Sequence, residues 1–263
     1  MAKFNGKFLS GVIGGLVFKK VGNKQIVTTK RAAGSTKFTL GSIKAANTFG
    51  MASKLGSHIF NEFSDEIIGF HDGTMFQRLT RELNLVLNLC RDFKTMEYSY
   101  DAGSFDRLNG LDFNIESPVR DSFKRYPEIN LTGQSLQVSL PEFAVKKFLS
   151  FPAHSSVCEF TVAITLFRLK DGMKMQTTES QSVVVERSTL ISKKHNFEFI
   201  IPDGCLCVVG LFLKFFVSGT SFPMLINTKK FSPGGICKAF STPGIFVKND
   251  KRFWVAMHDL KFA

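Results

Sequence analysis

From Gly103 onward the apolar residues recur with a period of two, and turn residues rather than helical patterns separate the runs. Such alternation puts successive side chains on opposite faces of an extended strand, so this part of the chain is committed to sheets. The runs are Leu111 to Ile115, Leu136 to Leu140, Val157 to Leu169, Gln176 to Glu186, Asn196 to Ile201, Cys205 to Ser218 and Arg252 to Phe262. Cys158, Phe160, Val162, Ile164 and Leu166 alternate cleanly, Asp171-Gly172 makes a turn, and Pro202-Asp203-Gly204 punctuates the next pair. About seven strands with no helix between them predict an antiparallel β-sandwich or a Greek-key barrel. The Gly-, Pro-, Ser- and Lys-rich stretch from Ser218 to Lys248 reads as a long connection, with a short strand around Leu225 and Ile226.

The N-terminal part follows a different pattern. Leu16 to Val21 and Lys24 to Thr29 are β-rich runs joined by Gly22-Asn23, which predicts a two-residue hairpin turn. Gly11, Gly14 and Gly15 relax the approach to it. Between Ser42 and Phe60, Ile43, Ala46, Phe49, Leu55 and Ile59 recur near helical spacing, with Gly50, Ala52, Ser53 and Gly56 allowing another backbone close. Phe76, Leu79, Leu83, Val86, Leu87, Cys90 and Phe93 form a clearer stripe, with Asp72 or Thr74 as its N-terminal cap. The expected fold is mainly β of the α+β kind. It has a hairpin arm and first helix over residues 1–61, a second helix and connection over 62–104, and a sandwich over 105–263.

Catalytic signatures are missing from the sequence. There is no G-x-S-x-G elbow, no G-x-G-x-x-G and no G-x-x-x-x-G-K-[ST]. Cys205 and Cys207 are too tightly spaced for a zinc knuckle and have no second pair nearby, so no metal or cofactor is expected. His58, His71, His154, His195 and His258 are scattered among unlike segments. The five cysteines read as free, buried thiols, because a chain of 263 residues does not depend on a disulfide scaffold. With 29 Phe against 3 Tyr and 1 Trp, the aromatic residues favour apolar burial over amphipathic recognition.

Charge supplies the clearest pointer to a partner. The first 61 residues contain no Asp or Glu and ten cations: Lys3, Lys7, Lys19, Lys20, Lys24, Lys30, Arg31, Lys37, Lys44 and Lys54. Taking those ten from the net charge of +12 leaves only +2 for the rest of the chain. The cations are nearly all Lys, singly or in pairs, without the dense Arg run of a packaging arm. No apolar stretch approaches the roughly 20 residues of a membrane span. Phe8 to Phe18 imitates the apolar part of a signal peptide, yet Lys19-Lys20 follows where small residues would mark cleavage. Ala2 stands where myristoylation needs Gly. The expected location is cytoplasmic or particle-associated.

Gly14-Gly15-Leu16-Val17-Phe18, Gly22-Asn23-Lys24-Gln25-Ile26-Val27, residues Phe49 to Gly56, Arg78-Leu79-Thr80-Arg81 and residues Leu108 to Asn114 resemble landmarks of a family of uncharacterised Bacteroidota proteins. The resemblance covers the first 115 residues and implies no activity and no catalytic or binding residue. The reading that follows is a non-enzymatic structural subunit that forms a homo-oligomer or docks on another protein. Lys3, Lys7, Lys19, Lys20, Lys24, Lys30, Arg31 and Lys37 would make the docking contact, and Gly22 and Asn23 the turn. Nucleic acid is the alternative partner, in the manner of a virion or packaging protein. A ligand- or carbohydrate-binding sandwich is a third reading, by fold analogy.

Overall fold

The computed structural model describes residues 2–32, 39–92, 94–217, 223–247, 252–258, 260 and 262. They form two compact units, residues 1–46 and 47–263. In the first, β1 (Lys3–Phe4), β2 (Leu9–Ile13), β3 (Leu16–Val21) and β4 (Lys24–Thr29) make an antiparallel sheet in sequence order. The predicted hairpin is present: Val21 pairs with Lys24 across Gly22-Asn23, and Gly22 has φ +58°, which L side chains rarely adopt. Gly14-Gly15 corrects the sequence reading, because it closes a second hairpin in which Ile13 pairs with Leu16. Two glycines between β-rich runs are themselves a hairpin signal.

Helix α1 (Leu40–Glu62) starts two residues earlier than the spacing suggests. Thr39 sets the start, since its Oγ1 accepts from the Ser42 N–H at 3.1 Å as an N-cap does. The buried face is Thr48, Ala52, Leu55, Gly56 and Ile59, whereas Ile43 and Phe49 are exposed. The expected stripe therefore holds only in the second half of the helix. Gly56 faces α3 (Met75–Cys90), where a Cβ would touch the Leu83 and Thr80 side chains at an ordinary contact distance of 3.4 Å. A short α2 (Ser64–Ile67) links the two.

Thr74 occupies the N-cap of α3 without a side-chain capping bond, and Asp72 has a different task from the one its position suggested. Asp72 Oδ1 accepts from the Thr74 N–H and Oγ–H at 2.7 and 2.6 Å, and Oδ2 accepts from the Ile115 N–H at 3.1 Å. Arg78 Nη2 donates to Asp72 Oδ2 at 2.5 Å and to the Asp112 carbonyl at 2.9 Å. Burial raises the Asp72 pKa, but these donors outweigh it and hold the carboxyl down at about 2. The residue thus pins the start of α3 to the chain beyond β5 (Leu111–Asp112).

The rest of the body is sheet. After α4 (Val119–Ser122) come β6 (Glu128–Thr132), β7 (Ser135–Leu140), β8 (Phe143–Ala144) and α5 (Val145–Phe148). Then follow β9 (Val157–Arg168), β10 (Met173–Met175), β11 (Glu179–Glu186), β12 (Ile191–Ser192), β13 (His195–Ile200) and β14 (Leu206–Val217). The last strands are β15 (Met224–Leu225), β16 (Gly234–Ser241) and β17 (Trp254–Ala256). The main sheet runs β17-β10-β9-β14-β16-β5, with β11 also on β9 and β15 on β14. A second sheet runs β13-β7-β6, and β12 pairs with β8.

Both faces of the main sheet are covered, which gives three layers. Phe160, Val162, Ile164 and Leu166 of β9 and Cys207, Val209 and Leu211 of β14 pack with Leu136, Val138, Phe197 and Phe199 of the second sheet. Their neighbours Ala163, Phe167, Leu206, Val208 and Phe212 pack with Leu55, Ile59, Leu79 and Leu83 of the helices. This second core contains residues from Ala52 to Phe262 and so crosses the sequence boundaries expected near 61 and 104. Phe212 stacks on Phe113 at 5.7 Å and meets Phe63 at 5.5 Å between ring centroids, joining helix end and sheet.

Several strands differ in extent from the sequence reading. The eight-residue β16 lies within the stretch read as a connection. Its glycines are there for contact rather than flexibility: a Cβ on Gly234 would come within 2.7 Å of the Phe212 ring, and one on Gly235 within 2.9 Å of the Leu111 carbonyl. The run expected from Gln176 begins at Glu179, in β11, with the short β10 lying before it; β5 is only two residues, and β17 covers three residues of the run expected over Arg252 to Phe262. Edge strand β6 lies outside the expected runs, since only Ile129 and Leu131 alternate in it.

Candidate functional site

The N-terminal sheet is the part of the chain with surface to spare. Cross-strand partners project to the same side of a sheet. The pairs Phe4–Leu9, Ile13–Leu16 and Phe18–Val27 therefore share one face, joined by Lys20–Gln25. The opposite face carries Lys3–Ser10, Val12–Val17, Lys19–Ile26 and Val21–Lys24. Phe4, Val12, Ile13, Leu16, Val21, Ile26 and Val27 are all exposed, and every residue of β4 is exposed. Phe8 is the one buried hydrophobic among the described residues of this unit. Lys20 Nζ sits 5.0 Å and Lys7 Nζ 5.7 Å from the centre of its ring, so two cations cover it.

Polar detail holds the sheet in register without a core. The Gln25 amide bridges to β2, where its Oε1 accepts from the Leu9 N–H at 2.8 Å and its Nε2 donates to the Leu9 carbonyl at 2.9 Å. Gly11, beside that bridge, has φ +120°, a backbone conformation that L side chains rarely adopt. Of the residues assigned to docking, Lys3, Lys19, Lys20 and Lys24 lie on the strands, Lys7 precedes β2, and Lys30 and Arg31 follow β4. All seven are exposed. Their charges do not form a single stripe, since Lys3, Lys19 and Lys24 lie on one face and Lys20 on the other. Lys37 falls outside the described residues. No acid occurs in residues 1–46, so these cations have no counter-charge within their own unit.

The body contains two concavities of interest. The larger, about 600 Å³, lies between β6 and β16, with Ile129 to Thr132 along one side, Lys238 and Ser241 on the other, and Asp106 at one end. The smaller, about 320 Å³, is lined by Tyr100, Arg168, Asp171 and Phe246. There Arg168 pairs with Asp171 and lies 3.8 Å from the Phe246 ring centre, so its charge is already engaged on two sides. Burial pushes the Tyr100 phenol far above its ordinary range.

Ser192 Oγ and His195 Nε2 are 3.4 Å apart, too long for an activated pair, and no carboxylate orients the ring. No group of three or more His, Cys, Asp or Glu is placed to hold a metal among the described residues. None of the five cysteines, all among the described residues, is in a disulfide, and burial pushes the Cys237 thiol up to about 12. No helix among the described residues is long and apolar enough to cross a membrane. No protein-family model matches the chain, and neither a curated protein nor a solved structure matches it.

Proposed function

We propose that this protein is a non-enzymatic structural subunit that self-assembles, its N-terminal unit docking on a neighbouring copy. One observation carries the reading: a four-stranded sheet with apolar residues on both faces buries a single hydrophobic side chain, Phe8, among its described residues. A sheet becomes stable by covering at least one face, and contiguous exposed apolar surface marks contact sites. Chains of this protein would supply that cover to one another.

Light scattering on the full chain and on a chain lacking residues 1–39 tests this. The shortened chain retains both cores of the body. Concentration-dependent association of the full chain, abolished by the deletion, is the expected result. A monomeric full chain at every concentration overturns the reading.

The second reading, nucleic-acid binding, draws on the ten cations and absent acids of the first 61 residues. It requires binding to duplex or single-stranded DNA that weakens steeply with salt and is lost with residues 1–31. Salt-insensitive binding, or none, removes it.

A further inference from the structure

We propose that the cavity at the end of β9, the start of β14 and the end of β16 binds a small organic acid, whose carboxylate accepts from the Tyr100 hydroxyl and Arg168 Nε while its apolar body lies on Leu169 and Leu206. This goes beyond the assembly reading and does not depend on it.

Two donors that line this cavity are buried without a hydrogen-bond partner among the described residues, the Tyr100 hydroxyl and Arg168 Nε. Both are rigidly held. The Tyr100 ring packs 5.4 Å from Phe105 and 6.1 Å from both Phe262 and Tyr98, centre to centre, so its position is set by three aromatic neighbours. Arg168 pairs with Asp171 through Nη2, and its guanidinium carbon lies 3.8 Å from the Phe246 ring centre and 5.3 Å from that of Trp254. Those contacts fix the group and leave Nε over. Buried donors are nearly always satisfied, and two unsatisfied ones in the lining of one cavity are complementary to a ligand that brings acceptors.

The remaining lining narrows the chemistry. Burial holds the Tyr100 phenol in its protonated form, so it can donate. Thr242 Oγ1 is already committed, since it donates to the Pro202 carbonyl and accepts from the Cys205 N–H, each at 2.9 Å. Asp171 neutralises Arg168, which leaves Lys170 as the excess charge, without an ion pair among the described residues. The ligand is therefore an anion, and the two oxygens of a carboxylate can take one donor each. Leu169 and Leu206, 4% and 2% exposed, supply an apolar wall. At about 320 Å³ the cavity is far larger than one water needs and falls at the lower end of the roughly 300–1,000 Å³ of small-molecule pockets, room for an acid carrying one ring or a short chain. Such a body would displace loosely held water from the leucines, which favours binding.

Trp254 is the only tryptophan of the chain and lies beside Arg168, so its emission reports on this cavity. Full-length protein is titrated with sodium benzoate and sodium hexanoate, with benzamide and inorganic phosphate as controls, and binding is measured in parallel by calorimetry. Both acids should change the emission saturably, and benzamide, which has the ring without the charge, should bind at least ~10-fold more weakly than benzoate. Tyr100→Phe keeps the ring and removes only the hydroxyl, so it should weaken benzoate ~10-fold while thermal unfolding stays unchanged or rises. Arg168→Lys keeps the charge without Nε and should weaken it as much. If Arg168→Lys lowers the melting temperature, Tyr100→Phe alone decides. The proposal is overturned by no saturable response to either acid, by equal binding of benzamide, by tighter binding of phosphate than of benzoate, or by benzoate binding that Tyr100→Phe leaves unchanged.

Discussion

Strands β9 and β4 are built from similar material and end in opposite environments. β9 is rich in β-branched and aromatic residues, and most of its twelve residues are buried because β14, β11 and β10 flank it and a layer covers each face. β4, Lys-Gln-Ile-Val-Thr-Thr, has the same local preference for extended chain, yet all six residues are exposed. Strand propensity therefore selects a backbone in both units, whereas burial depends on what the rest of the molecule brings alongside. Fully burying one large aliphatic side chain contributes about 1.5–3 kcal/mol, so the body holds a cohesion that the N-terminal sheet lacks.

That contrast can be broken at its strongest point first. Phe212→Ala empties the junction of Phe63, Phe113 and Phe212, and should cost about 3–5 kcal/mol in urea unfolding. A loss below 1 kcal/mol would show that the body is less tightly packed than its burial indicates.

Next in size is the pairing of Lys174 with Glu62, which fastens the end of α1 to the sheet while Thr178 Oγ1 donates to the Glu62 carbonyl at 2.7 Å. Lys174→Met leaves a largely buried carboxylate without its cation and should destabilise by about 2 kcal/mol, below the roughly 3–5 of a fully buried pair. Removing both charges with Glu62→Gln added should recover part of that loss in the same titration.

Asp72 gives a smaller effect with a definite sign. Its folded pKa of about 2 lies below the ordinary value, so its stabilisation is complete above about pH 4 and is lost as pH falls toward 2. Discounted for solvent screening, the contribution is on the order of 1 kcal/mol. Between pH 6 and pH 2 the starting protein should lose about that much more stability than Asp72→Asn, and equal losses would remove the assigned role.

The least effect should come from the N-terminal unit. Val27→Thr, on the exposed strand β4, should change the unfolding of the dissociated chain by less than about 0.5 kcal/mol. The same change should weaken association if that face is covered in the assembly. A large effect on the dissociated chain would mean that the sheet already has cover within the molecule, and the contrast between the units would fail.

Local pattern revealed the elements whose signal lies in consecutive residues. The period of two in β9, the apolar stripe of α3 and the Gly22-Asn23 turn were readable because each depends on neighbours close in sequence. Strand β16 was hidden because its glycines look like loop punctuation, and only the Phe212 ring and the Leu111 carbonyl opposite them explain why side chains are absent. The exposed ends of the expected α1 stripe, Ile43 and Phe49, were misread for the related reason that periodicity identifies a face without saying whether anything covers it.

By itself the sequence determined that the chain is mainly β with helices, where its best hairpin turns, and that all the early charge is positive, since composition and short-range sterics act without a partner. Only the tertiary structure decided that the main sheet is covered by helices on one side and a second sheet on the other. It also decided that the N-terminal sheet buries only Phe8 among its described residues, and that the glycines of β16 lie against the Phe212 ring and the Leu111 carbonyl. Those outcomes depend on long-range pairing, in which residues far apart in the chain compete for the same surface, and no local period records who wins.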